Sequence, residues 1–185
     1  MNIRQARKHE AADIAALLYE MLDDIARSHT ATKTKAEALE MLSSYIQSEH
    51  NRYSYNQIIV AEEENKIVGV MVCYEGEQAQ YLDEPIISYV REKLNDDNWQ
   101  PDVETKSGDF YIDSLSVDKS YQGKGIGTAL LQYALQEATN RHLALTLNVE
   151  YHNERAKQLY ERMGFQSEGI NYINKKPFFY MKTAG

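Results

Sequence analysis

The chain has 185 residues, a formal net charge of −8 and 43% hydrophobic residues, which suffices for one compact unit whose core needs no disulfide or metal. The acidic balance argues against a nucleic-acid partner, which requires clustered Lys and Arg, and mildly favours a cationic substrate. The lone Cys73, five scattered histidines (His9, His29, His50, His142, His152), the lack of a long apolar run and an N-terminus without a signal-peptide stretch lead us to expect a metal-free, cytoplasmic protein that does not enter membranes.

In chain order, Ile3 to Lys8 suits a short opening strand. Ile14, Leu17, Leu18, Met21, Leu22 and Ile25 then recur at helical spacing, which predicts one amphipathic helix. Thr34 followed by Glu37 is a capping box, and Leu39, Leu42 and Ile46 continue a second helical face. Ile58 to Glu62 and Ile67 to Tyr74 read as a hairpin across the polar turn Glu63 to Lys66. Asp83 and Pro85 suit the first turn of another helix, with Ile86, Ile87, Val90 and Leu94 along one side, ended by the polar stretch from Asn95 to Gly108.

Phe110 to Val117 is a strand by composition. Tyr121 to Asn140 begins as a glycine-rich turn and becomes a helix with Ile126, Leu130, Leu131, Ala134, Leu135 and Ala138 on one face. Leu143 to Val149 is the next strand, so this part reads β-turn-α-β and implies parallel pairing. A helix from Glu154 to Met163, capped by Asn153 and stopped at Gly164, precedes two closing strands, Gln166 to Ile173 and Phe178 to Lys182. No repeat or linker divides the chain, so residues 1–185 are expected to form one domain.

The stretch Ser116 to Thr128 is the most informative. Gly123, Gly125 and Gly127, between a strand and a helix, leave backbone N–H groups uncovered at a helix mouth, where the dipole adds about half a positive charge. Such a turn binds a pyrophosphate. A dinucleotide fingerprint would need glycine where Thr128 stands, and a Walker loop would need Ser or Thr where Gly125 follows Gly123-Lys124, so both readings fail on spacing.

Gln122-x-x-Gly125-x-Gly127 resembles the acyl-CoA pyrophosphate loop, Gln/Arg-x-x-Gly-x-Gly/Ala, of the Gcn5-related N-acetyltransferases (GNAT). A second family motif is matched by Asn148-Val149, Asn153, Ala156, Leu159-Tyr160-Glu161 and Gly164-Phe165. The resemblance covers nearly the whole chain and implies a mixed α/β fold, with a mostly antiparallel central sheet flanked by helices. It implies acetyl-CoA as co-substrate and direct transfer of its acetyl group to a primary amine, on a small molecule or a peptide. The main chain of Leu115 and Val117 would pair with the pantetheine arm, as an added strand would. The pyrophosphate would lie on Gln122, Gly123, Lys124, Gly125, Ile126, Gly127 and Thr128. Asn153 would touch the cofactor or simply cap its helix, and Tyr160 would stand near the thioester sulfur.

A phenol (pKa about 10) giving its proton fully to a thiolate (about 8.5) is uphill by roughly 2 kcal/mol, so Tyr160 fits better as a hydrogen-bond donor than as a strong acid. The attacking amine must also lose a proton. Histone-type members of the family carry a glutamate where this chain has Tyr111, so their base does not transfer. Period-two alternation puts Asp109, Tyr111, Asp113, Leu115 and Val117 on one face and makes Asp113 the first candidate base, with Glu104 second and His152 third. The run Asp96, Asp97, Asp102, Glu104, Asp109 and Asp113 could focus a negative field on a cationic amine. Residues 81–107 exceed the family's usual link between these strands and read as an insertion bordering the acceptor pocket or as surface decoration. Left open are the acceptor, a homodimer, and the alternative of a noncatalytic acyl-CoA binding or sensor domain.

Overall fold

A computed structural model describes residues 1–184. Its centre is a seven-stranded sheet formed by β1 (Asn2–Gln5), β2 (Ile58–Glu63), β3 (Lys66–Glu75), β4 (Asp109–Val117), β5 (Ala144–Glu150), β6 (Phe165–Ile173) and β7 (Lys176–Thr183). The strand order is β1-β2-β3-β4-β5-β7-β6. Every neighbouring pair is antiparallel except β4 and β5. The expected mixed, mostly antiparallel sheet is present, and β4 and β5 make the parallel pair that the β-turn-α-β reading required.

Helices α1 (Ala11–Leu22), α2 (Asp24–Thr30), α3 (Lys35–Gln47) and α4 (Ala79–Leu94) belong to one side of the sheet; α5 (Ile126–Arg141) and α6 (Glu154–Arg162) belong to the other. Ile14, Leu18, Leu42, Ile46 and Val90 pack with Val60, Val70 and Val72 in the first core. Ile126, Leu130, Leu131 and Ala134 pack with Met71, Ile112 and Leu147 in the second. Thr34 and Glu37 make the reciprocal capping contacts read from the sequence. The hairpin turns at Glu64 and Asn65, both at positive φ, the geometry two-residue hairpin loops favour.

Four expectations are corrected. The first strand ends at Gln5, and Lys8 opens a short 3-10 turn instead. The first predicted helix breaks at Asp23 (φ 34°, ψ −97°). Two consecutive aspartates are weak helix formers but are favoured at a helix start, where they face the dipole of α2 and pair with Arg27. Helix α4 starts at Ala79, so Pro85 lies in its second turn. Pro85 has no N–H for the Tyr81 carbonyl, and the neighbouring Leu82 carbonyl accepts the Arg52 N–H at 3.1 Å. The buried face of α4 is Leu82, Asp83, Ile86 and Val90, whereas Leu94 is exposed.

The fourth correction bears most on function. The pairing of β3 with β4 shifts by one residue, from Val72 opposite Ser114 to Cys73 opposite Ile112, which leaves Asp113 as a bulge. Beyond it the alternation inverts. Leu115 and Val117 therefore pack with Phe110 and Ile112, while Tyr111 belongs to the opposite core. The single face expected for Asp109 through Val117 is split at Asp113.

Candidate active site

Pairing of β4 with β5 ends at Ile112 opposite Leu147, so the edge of β4 from Asp113 to Val117 that would face β5 has no strand partner. A cavity of about 430 Å³ opens there. Its walls include Met21 to Ile25 at the α1–α2 break, Arg52, Glu104, Tyr111 to Leu115, and Asn153, Ala156 and Tyr160 from α6 and its cap. The break at Asp23 thus shapes one rim, and the bulge at Asp113 sits on the floor.

At the far end of the open edge lies the glycine turn. Gly123 and Gly125 adopt φ of 79° and 83°, values at which a side chain would be strained. None of the backbone N–H groups from Gln122 to Thr128 has a protein acceptor among the described residues; the helix ladder starts with Ala129 N–H donating to the Gly125 carbonyl at 2.9 Å. A Cβ added at Gly123 or Gly125 would have nothing within 4 Å. The turn is a row of seven free donors at the positive end of a sixteen-residue helix, and it fits an anionic diphosphate. Asp118 braces it from behind by accepting from Ser120 N–H and Lys66 Nζ, and Gln122 Nε2 reaches the Val117 carbonyl at 3.4 Å. Lys124 lies over the Tyr121 ring at 4.4 Å, while Ile126 is buried in the core.

The candidate acid–base groups separate in the folded chain. Asp113 reaches the cavity but is tied up: its carboxylate accepts from Tyr74 Oη at 2.9 Å and Ser114 Oγ at 2.6 Å, and lies 3.2 Å from Arg52 Nη2. Glu104 also lines the cavity, accepting from Tyr111 Oη at 2.7 Å with Arg52 Nη1 3.5 Å away. Its main-chain carbonyl is held by Asn148 Nδ2 at 2.9 Å, and Asn148 in turn accepts from Asn171. Burial pushes the Glu104 carboxyl up to about 7; Arg52 opposes the rise and Asp113 adds to it. Glu104 and Asp113 thus stand side by side on the cavity wall with Arg52 between them. His152 is exposed, stacks edge-on against Tyr151 and lies outside the cavity wall.

The acidic run also divides. Asp96 caps Asn98, Asp102 accepts from Asn174 N–H, and Asp109 is buried with Thr105 and Tyr180, so of that run only Glu104 and Asp113 face the cavity. Tyr160 is half-buried, lies edge-on to Phe165 at 5.7 Å, and its hydroxyl has no protein partner among the described residues. Burial raises its pKa, so it is a phenol with a free donor. Asn153 is the α6 cap, accepting the Ala156 N–H at 3.1 Å, and lines the cavity as well.

Arg52 on this wall, and Tyr74 behind it in hydrogen-bond contact with Arg52 and Asp113, carried no signal in the sequence. Arg52 comes from the segment between α3 and β2, where an isolated cation has no spacing to mark it, and Tyr74 reads as one more strand aromatic. Among the described residues no group of three or more His, Cys, Asp or Glu side chains could hold a metal ion, and no helix is long and apolar enough to cross a membrane.

The family model described as acetyltransferase (GNAT) family matches residues 15–165. A probable spermine N(1)-acetyltransferase of Bacillus subtilis subsp. natto is 34% identical over 70 residues, 37% of this chain and 46% of that protein, so the match spans less than half of the relative's length. An N-acetyltransferase of Bacillus subtilis strain 168 named uncharacterized, YhfO, is 28% identical across 91% of each chain. Among solved structures, an N-acetyltransferase from Staphylococcus aureus Mu50 superimposes with a TM-score of 0.87 at 29% identity, covering 99% of this chain and 100% of that one.

Proposed function

We propose that this chain, which belongs to the acetyltransferase (GNAT) family, transfers an acetyl group from acetyl-CoA directly to a primary amine on a small molecule or peptide, with residues 1–185 acting as one catalytic domain. One observation carries the reading. The unpartnered edge of β4 runs from seven free amides at the mouth of α5 into a cavity that holds one raised carboxyl and one free phenol.

In this reading the amides of Gln122 to Thr128 take the diphosphate, and the main chain of Leu115 and Val117 aligns the pantetheine arm. The acceptor enters over a wall with five carboxylates (Asp23, Asp24, Glu104, Asp113, Glu150) against two cations, Arg52 and Lys176. That imbalance draws in an ammonium, and spermine, the acceptor named for the natto relative, is a natural first amine to test.

Glu104 accepts the proton that the ammonium must lose. For an amine of pKa about 10.4, transfer to a carboxylate of about 7 is uphill by about 5 kcal/mol, against about 8 kcal/mol for an ordinary glutamate. The amine nitrogen then bonds to the thioester carbon, the carbon–sulfur bond breaks while Tyr160 Oη donates a hydrogen bond to the charge that develops on sulfur, and the second proton of the nitrogen goes to that sulfur, so CoA leaves as the thiol. Holding both reactants along β4 supplies much of the acceleration.

The test is thiol release from acetyl-CoA across a panel of polyamines, amino acids and peptides, beside calorimetry with acetyl-CoA. Turnover with at least one amine is expected. Tight binding without thiol release for any amine would instead favour a noncatalytic acyl-CoA sensor.

A further inference from the structure

Arg52 is buried, with its side chain 3% exposed. Its backbone is pinned by the Leu82 carbonyl, and its neighbour Tyr53 N–H donates to Asn51 Oδ1 at 2.8 Å. From this base the guanidinium touches three carboxylates from three parts of the chain: Asp83 on α4 at 3.0 Å, Glu104 at 3.5 Å and Asp113 on β4 at 3.2 Å. It also donates to Tyr74 Oη at 2.6 Å. The Asp83 contact is ionic but poorly aligned, since neither Arg52 Nε nor Asp83 Oδ1 completes a hydrogen bond.

We infer that Arg52 is the positioning residue of this site: it clamps Glu104, Asp113 and Asp83 together, and so fixes where the Glu104 carboxylate stands and how much negative charge surrounds it. The inference rests on the acetyltransferase reading for its catalytic meaning, but its physical content is separate.

Three observations support it. A buried ion cluster contributes little net stability compared with apolar packing, so three acids around one cation are not explained by stability alone. Fully ionised, the cluster carries an excess of two negative charges beside the cavity, and two of the three acids line that cavity whereas Asp83 does not. Finally, the segment that carries Asp83 and Glu104 is locked against the sheet. A Cβ at Gly76, just after β3, would meet the Lys106 carbonyl at 2.0 Å and Thr105 Oγ1 at 2.7 Å. From this segment Glu104 lines the cavity, and Arg52 ties Asp83 on α4 to it.

The groups around the Glu104 carboxylate are Arg52, Tyr74 on β3, Asp83 on α4, and Tyr111 and Asp113 on β4, with Tyr53 part of the same buried charge network and Asn148 on β5 holding the main chain. Arg52 favours the ionised form, whereas Asp83 and Asp113 oppose it. Substitutions at Arg52 and at Asp83 should therefore move Glu104 in opposite directions, which a purely structural role would not do.

The experiment titrates the Glu104 carboxyl by 13C NMR in the full chain labelled at glutamate, with Glu104→Gln to assign the signal, and measures the pH profile of kcat/KM for the amine. Against the wild type, Arg52→Gln should raise the midpoint by about one unit or more, Asp83→Asn should lower it by roughly half a unit, and Arg52→Lys should stay close to wild type. If Arg52→Gln does not fold, Arg52→Lys and Asp83→Asn decide alone. Midpoints unmoved in Asp83→Asn, or moved in the same direction by both charge changes, would overturn the inference. If no amine is acetylated, the enzyme reading falls while the NMR titration still decides the role of Arg52.

Discussion

The two ends of the proposed site are built in different ways. The proposed donor end consists of main chain, the edge of β4 and the amides of Gln122 to Thr128, left without acceptors by a turn that holds Gly123 and Gly125 at positive φ. The acceptor end consists of side chains gathered from Arg52, Asp83, Glu104, Asp113, Asn148 and Asn171, on six segments that meet only in the folded chain. A backbone site tolerates most side-chain changes that leave its conformation alone. A charge cluster depends on every partner, because a buried charge that loses its counter-ion costs several kcal/mol.

The sharpest way to break this comparison is Gly127→Glu. A Cβ there meets only Leu115 Cδ2 at 3.7 Å and Val117 Cγ2 at 3.9 Å, ordinary contacts, and an acid in the first turn of α5 suits the dipole. The fold should keep its melting temperature. The side chain would nonetheless crowd and repel a diphosphate, and losing two charge-assisted hydrogen bonds, about 3 kcal/mol, predicts roughly 100-fold weaker acetyl-CoA binding by calorimetry. Unchanged affinity in a folded variant would remove the turn from the donor site.

At the other end, Glu104→Gln keeps the contact with Tyr111 but cannot take a proton. General-base removal predicts a kcat lowered about 100-fold near pH 8 with little change in acetyl-CoA affinity. An equal loss in Asp113→Asn with Glu104→Gln near wild type would return the role to the strand residue.

The donor end was legible because local backbone geometry is a local property: glycines at alternate positions before a helical stripe specify the turn, and the motif around Asn153 and Tyr160 specifies the facing helix. The parallel β4–β5 pair followed from the same local patterns. The acceptor end was not legible in this way. Strand periodicity favoured Asp113, but the bulge at that residue inverted the phase, and no pattern shows that a loop thirty residues from β3 will return Glu104 to Tyr111. The phenol of Tyr111 holds a carboxylate supplied by another segment. Arg52 carried no signal because one charge in a short loop has no period. The break at Asp23 was concealed by an apolar stripe that continues through it.

A smaller effect is expected from Tyr160→Phe. Its hydroxyl has no protein partner among the described residues, so the variant should fold as the wild type does. Losing one donor to developing charge predicts a fall in kcat of roughly 10-fold to 100-fold, with KM for acetyl-CoA nearly unchanged. Full turnover would make this residue a wall aromatic.

The smallest effect is on stability, and it separates the acceptor end from the donor end by pH. Glu104 is an acid whose folded pKa, about 7, lies above its ordinary 4.5. Between those values the folded chain holds a proton that the unfolded chain has released, so the stability this proton contributes is present in full below about 4.5 and lost as pH rises through 7. Its ceiling is about 3 kcal/mol. Glu104→Gln removes this dependence while leaving Asp83 and the buried His29 in place, so their titrations largely cancel when the variant is compared with the wild type. At pH 4 the two proteins should melt together, since a neutral carboxyl and an amide are nearly isosteric. By pH 8 the variant should melt higher by roughly 5 °C, a few degrees per kcal/mol for a chain of this size. Parallel melting curves across that window would mean that Glu104 is already ionised at pH 5, and would leave the acceptor end without its poised base.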